Sequence, residues 1–179
     1  MKNDIKEVLY TEREIEEITR KLGSAISADY IDRNPIIVSV LKGSFIFMAD
    51  LVRKITVPCE IDFIVVSSYG LETTTSGEVQ IIKDLVTSIQ GRDVILVEDI
   101  LDSGVTLSYI TSILEKRGAR SIEICTFLNK PSRRKANVFV KYNGYDIADE
   151  FVVGYGLDYA EKYRNLPYLG ILKPEVYAK

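Results

Sequence analysis

Val94-Ile-Leu-Val-Glu-Asp-Ile-Leu-Asp-Ser-Gly-Val-Thr106 is the stretch that decides the fold. Its apolar, β-branched opening, Val94 to Val97, reads as a buried strand. Three carboxylates follow directly, Glu98, Asp99 and Asp102, and then Ser103-Gly104-Val105-Thr106, after which Leu107 starts a helical pattern. In open α/β sheets, ligands sit beyond the carboxyl ends of strands. A helix N-terminus presents unpaired N–H groups and the positive end of a dipole to anions. A strand that ends in acids and turns through glycine into a helix therefore suits a ligand carrying both hydroxyls and phosphate. A plain solvated turn would explain a capping Ser103 or Thr106. It would not explain three acids crowding the end of a buried strand.

Working outward, Thr11-Glu-Arg-Glu14 forms a capping box, and Ile15, Ile18, Leu22 and Ile26 then share one helical face. Asn34-Pro35 breaks the chain. Ile36 to Leu41 is a short apolar strand ending at Lys42-Gly43-Ser44, and a helix follows with Phe45, Met48, Leu51 and Val52 as its expected buried stripe. Ile61 to Val66 is the next strand and leads into Ser67-Ser68-Tyr69-Gly70. The polar, Thr-rich stretch from Leu71 to Glu78 reads as a mobile loop, with Val79 to Ile82 as a hairpin return. Leu107, Ile110, Ile113 and Leu114 stripe a helix that stops at Arg117-Gly118. Ile122 to Leu128 is a strand ending at Asn129-Lys130-Pro131, and Phe151 to Val153 begins a last one. Strands alternating with helices predict one α/β domain over 1–179: a twisted, mostly parallel sheet flanked by helices. Lys42, Ser68, Asp99, Lys130 and Asp158 all follow apolar runs, which places them on one rim of that sheet.

Composition excludes several classes. A chain of 179 residues with 46% hydrophobic content has ample material for a single core. Its net charge of −3 gives no footprint for nucleic acid. No apolar run approaches the roughly 20 residues of a membrane span, and the N-terminal segment lacks the apolar stretch of a signal peptide. Cys59 and Cys125 lie far apart in or beside apolar runs, so two thiols and a cytoplasmic location are expected. The chain has no histidine, which removes Ser-His-Asp and Cys-His catalysis and His-ligated zinc. Acid–base work at neutral pH falls to Asp, Glu, Lys or Tyr. Any metal should be a hard, oxygen-seeking cation such as Mg²⁺. Glu98 and Asp99 can accept from a vicinal diol or hold such a metal.

The segment Val94–Thr106 resembles the phosphoribosyl-pyrophosphate (PRPP) signature of type I phosphoribosyltransferases. Leu41-Lys-Gly43, Lys130, Phe151-Val-Val-Gly-Tyr-Gly-Leu-Asp-Tyr159 and Tyr163-Arg-Asn-Leu-Pro167 extend the resemblance to the 6-oxopurine members, and Asn165-Leu-Pro-Tyr-Leu-Gly170 fits their bacterial hypoxanthine-guanine branch. The resemblance implies the family's fold: a core over about 34–148, a small hood built from the N-terminal segment and about 149–179, and a flexible lid. It also implies purine salvage, in which phosphoribosyl passes from PRPP to hypoxanthine and/or guanine, giving IMP or GMP and pyrophosphate. Mg²⁺ would serve as cofactor, two per active site, with Glu98, Asp99 and Asp158 around it.

By the same resemblance Glu98 and Asp99 would engage the ribose hydroxyls, and Ser103, Gly104, Val105 and Thr106 would cradle the 5′-phosphate. Asp102 would be the general base at the purine N7. Lys42 and Gly43, after a cis peptide bond, and Arg164 would bind pyrophosphate. Ser68 and Tyr69 would belong to the lid. Lys130 would donate to O6 of the base, Phe151 would stack on it, and Val152 and Asp158 would line its edge. A cationic donor at 130 favours a keto oxygen over the amino group of adenine. A homo-oligomer, dimer or tetramer, is the family expectation. Taken alone, Lys42 reads as a surface lysine, Phe151 as core, and the 70–78 loop as an exposed hairpin. Xanthine-guanine or adenine specificity is one rival, and a PRPP-sensing regulator that binds nucleic acid is another. Nucleotide binding through a P-loop or a dinucleotide fingerprint is disfavoured, since neither G-x-x-x-x-G-K-[ST] nor G-x-G-x-x-G occurs.

Overall fold

The computed structural model describes residues 1–67 and 80–178. Its order is β1 (Ile5–Tyr10), α1 (Glu12–Asp29), β2 (Ile36–Leu41), α2 (Phe45–Val52), β3 (Glu60–Ser67), β4 (Gln80–Lys83), β5 (Asp93–Leu101), α3 (Val105–Lys116), β6 (Ser121–Asn129), β7 (Tyr142–Asp146), β8 (Val152–Val153), β9 (Leu169–Leu172) and α4 (Pro174–Tyr177). Six strands form the main sheet in the order β4-β3-β2-β5-β6-β7. All neighbours are parallel except β4, which returns antiparallel to β3. A second, antiparallel sheet joins β1, β9 and β8.

Side-chain alternation divides the main sheet between two cores. Ile37, Ile95, Val97, Cys125 and Phe127 pack with the α1 stripe Ile15, Ile18, Leu22 and Ile26 and with Phe47, Met48 and Leu51 of α2. Ile36, Val38, Val94, Leu96 and Ile124 face the other way, onto Leu107, Ile110 and Leu114 of α3. Both faces being covered, the central strands carry apolar residues on both sides, as parallel strands commonly do. The capping box of α1 forms: Glu14 N–H donates to Thr11 Oγ1 at 3.3 Å and Thr11 N–H to Glu14 Oε2 at 2.8 Å. Helix α3 ends at Arg117, followed by Gly118 at φ 79°.

The structure corrects three expectations. Phe45 is exposed and Phe47 takes the buried place on α2, with Val52 only half-buried. The cause is register: a helix of eight residues buries 47, 48 and 51, one stripe at three- and four-residue spacing, and 45 lies off it. Strand β5 runs to Leu101, so Glu98 and Asp99 lie within the strand rather than after it. Their polarity hid the continuation, because the ladder to β6 is made by backbone and persists through Leu101–Asn129. Ile113 of α3 is half-buried rather than core.

The chain leaves β2 for β3 on one side, whereas β5 lies on the other. The carboxyl ends of β2 and β5 therefore form the switch point at which open α/β sheets bind ligands. Parallel topology brings Lys42, Asp102 and Lys130 to the same rim, since each directly follows a parallel strand.

Candidate active site at the switch point

The Leu41–Lys42 peptide bond is cis. Next along the chain, Gly43 lies against Asp99; a Cβ on Gly43 would overlap Asp99 Oδ2. Gly156, at φ 100°, in turn lies on the Gly43 carbonyl, and a Cβ there would overlap that oxygen. Two glycines thus let the β2 loop, the end of β5 and the 154–164 strap close on one another.

Asp99 is buried and accepts from Ile100 N–H at 2.8 Å. Burial pushes its carboxyl up to about 6, while that hydrogen bond and the Arg164 charge pull the other way. Burial, and then the neighbouring Asp99 charge, hold the Glu98 carboxyl well above its usual range. Glu98 Oε2 is inaccessible and has no hydrogen-bond partner among the described residues. A buried acceptor left without a donor is costly. A ribose diol or a hard cation is the kind of group that removes that cost.

Immediately beyond, Gly104 caps α3 at φ 78°, and among the described residues no side chain caps the helix. Ser103 Oγ reaches in, accepting from Val105 N–H at a long 3.4 Å. Ser103 O accepts from the N–H groups of Lys135 and Ala136 at 2.9 and 3.0 Å, which holds the turn from behind. The open helix start beside the hydroxyls of Ser103 and Thr106 has the donors an anion such as phosphate requires. Asp102, in the same turn, lies 3.0 Å from Arg133 Nε through Oδ1, without hydrogen-bond alignment.

At the end of β6, Lys130 is buried and donates through Nζ to Glu150 O at 2.7 Å, with Asp149 Oδ1 at 3.4 Å. That anchor brings the lysine to the residue preceding Phe151, whose ring is 36% exposed. Val152 is buried in β8. Opposite, Arg164 donates to Gly156 O at 2.8 Å and pairs with Asp158 Oδ1 at 2.8 Å, and Lys42 pairs with Glu161 at 3.2 Å. Ser68 and Tyr69 lie outside the described residues. Among those that are described, no three ligand-type side chains stand together to cage a metal unaided.

Sequence reasoning passed over Arg133, Asp149 and Glu161. Arg133 bridges Asp102 and Asp149, at 3.0 and 3.2 Å, and Glu161 joins Lys42 to Arg164. Their signal was weak because each sits in a charged run that reads as a solvated face. A cavity of about 510 Å³ between α1, α2 and residues 164–167 shares Arg164 with these groups.

The family model for the phosphoribosyl transferase domain matches residues 5–160. A hypoxanthine-guanine phosphoribosyltransferase of Bacillus subtilis (strain 168) is 54% identical over 99% of this chain and 98% of its own length. One of Staphylococcus aureus (strain N315) is also 54% identical, with 99% of each chain covered. A crystal structure of a hypoxanthine phosphoribosyltransferase from Staphylococcus aureus matches with a TM-score of 0.97 and 54% identity, over 100% of this chain and 97% of that one. Fold, switch-point site and full-length similarity agree, and the chain belongs to the phosphoribosyltransferase family.

Proposed function

We propose that this protein transfers phosphoribosyl from PRPP to a 6-oxopurine, hypoxanthine and/or guanine, releasing pyrophosphate in purine salvage. The observation that carries the reading is the pairing of buried Asp99 and the partnerless, inaccessible Oε2 of Glu98 with the start of α3 a few residues on, which no side chain caps among the described residues. Acids for a diol and N–H groups for a phosphate, at that spacing, describe a phosphorylated ribose. The full-length similarity to hypoxanthine-guanine enzymes supports the choice of acceptor.

In this reading Glu98 and Asp99 hold the 2′- and 3′-hydroxyls, and residues 103–106 hold the 5′-phosphate. Lys42, the Gly43 backbone and Arg164 bind the pyrophosphate. The bond from C1′ to the pyrophosphate oxygen breaks as the bond from purine N9 to C1′ forms, and the N7 proton passes to Asp102. Lys130 donates to O6, where negative charge accumulates as that proton leaves. Phe151 stacks on the base, the Val152 backbone and Asp158 meet its edge, and Ser68 and Tyr69 close over the reacting centre.

The acids suit Mg²⁺, which binds through one or two carboxylates and completes its shell with substrate phosphates and water. That habit agrees with the lack of a three-ligand cage among the described residues. Glu98 and Asp99 would hold one such ion and Asp158 a second, and when bound they neutralise charge on the leaving pyrophosphate.

The test is an assay of hypoxanthine, guanine, xanthine and adenine with PRPP and Mg²⁺. Nucleotide should form from the first two, and adenine should be refused. Asp102→Asn should lower kcat by about 10²–10⁴-fold with PRPP affinity retained. Turnover near the wild-type rate in that variant would remove Asp102 from its role.

A further inference from the structure

Phe151 presents an aromatic face on the rim, yet it belongs to none of the packed apolar clusters. A ring held only by its own backbone would lose rotamer freedom on binding a base, and that loss would weaken affinity. The structure supplies a partner. Tyr177, in the C-terminal turn α4, lies almost parallel to Phe151, with centroids 4.6 Å apart and planes at 18°. Tyr159 meets the same ring edge-on, at 5.6 Å and 87°.

Tyr177 is itself anchored. With Tyr159 it packs against the cluster of Val153, Tyr163, Leu166 and Leu172. Its turn is tied down by Val176 N–H to Lys173 O at 3.0 Å and Ala178 N–H to Pro174 O at 2.8 Å. Lys173 N–H reaches Asp4 O at 2.9 Å, so the C-terminus is fastened to the N-terminal segment. Lys130 is no part of this cluster: it donates to Glu150 O, the carbonyl just before Phe151.

From this geometry we propose that Tyr177 is a positioning residue for the purine. It stacks on one face of the Phe151 ring and so holds that ring with its other face ready for the base. The idea rests on Phe151 being the base platform. It adds that the affinity of that platform is set by the last turn of the chain.

Four variants test it, with KM measured separately for hypoxanthine and for PRPP. Tyr177→Ala should raise the hypoxanthine KM about three- to tenfold, the range of a single aromatic pair, with kcat and the PRPP KM little changed. Tyr177→Phe should restore the wild-type value, because it keeps the ring. Tyr177→Leu keeps apolar bulk without a ring; it should behave like the alanine variant while preserving the packing of the small sheet. Phe151→Leu is the control for the platform itself. If it raises the hypoxanthine KM and neither Tyr177→Ala nor Tyr177→Leu does, the backing role is overturned and the platform stands. If Phe151→Leu leaves the hypoxanthine KM unchanged, the platform reading falls first and this proposal with it. A rise in both KM values together with a lower melting temperature in the leucine variant would make Tyr177 merely structural and also overturn it.

Discussion

At the scale of single residues, the site is held in a conformation whose costs are local. Asp99 is buried beside Gly43 with its carboxyl pushed up to about 6 by burial. Its folded value exceeds its unfolded value, so the free protein loses stability as pH rises from about 4 through 6 and carries the full cost at neutral pH. The difference corresponds to about 2–3 kcal/mol. Asp99→Asn keeps an acceptor for Ile100 N–H and removes the charge. It should therefore melt several degrees higher than the wild type at pH 7.5, with the gain disappearing near pH 4, while PRPP binding weakens. Melting curves at the two pH values decide this, and a variant that is less stable at pH 7.5 would contradict it. Sequence alone marked Asp99 as a ligand group, because an acid in an apolar run is conspicuous. It did not show the burial, which depends on Gly43 and Gly156 arriving from other parts of the chain.

At the scale of elements, adjacent parallel strands are locked at their starts by charge. Asp93 opens β5 and is 1% exposed; it pairs with Arg120 just before β6 and accepts from Ser121 Oγ at 2.7 Å. Arg120, above all, holds the Asp93 carboxyl at about 2, against the opposing effect of burial. The folded value lies below the unfolded one, so the stabilisation is complete above about pH 4 and is lost as pH falls towards 2. Asp93→Asn should cost about 2 kcal/mol at neutral pH and flatten the acid limb of a stability–pH curve. An unchanged acid limb would show that the pair is not the source. The central strands and α1 and α3 were legible because repeated apolar spacing and caps act between near neighbours. Strand β7, Tyr142-Asn-Gly-Tyr-Asp146, was not legible. It has no apolar run, and its Gly144 looks like a turn, whereas it serves close packing: a Cβ there would overlap the Phe127 carbonyl.

At the scale of the whole molecule, the main sheet supplies the acids and leads into the open start of α3, and the small sheet supplies Val152 and carries Phe151 at its edge. The chain termini meet to build that second sheet, β1 pairing with β9. In the proposed reading PRPP with Mg²⁺ would engage groups from β2, β5 and the 154–164 strap at once, so it should stabilise the folded state as a unit. At a concentration about a hundredfold above Kd the gain is about 2.7 kcal/mol, or about 5–10 °C in melting temperature for a chain of this size. Chelating the metal should remove most of that rise. A shift unaffected by chelation would separate PRPP binding from Mg²⁺. The sequence by itself determined the alternation of strands and helices, the acids of the Val94–Thr106 segment, and the exclusion of histidine chemistry. Those are properties of composition and of spacing between near neighbours. Only the tertiary structure decided that Gly43 lies on Asp99, that Lys42 meets Glu161 119 residues away, and that Tyr177 backs Phe151. Such contacts follow from strand order and from backbone approach at glycine, which no local pattern encodes.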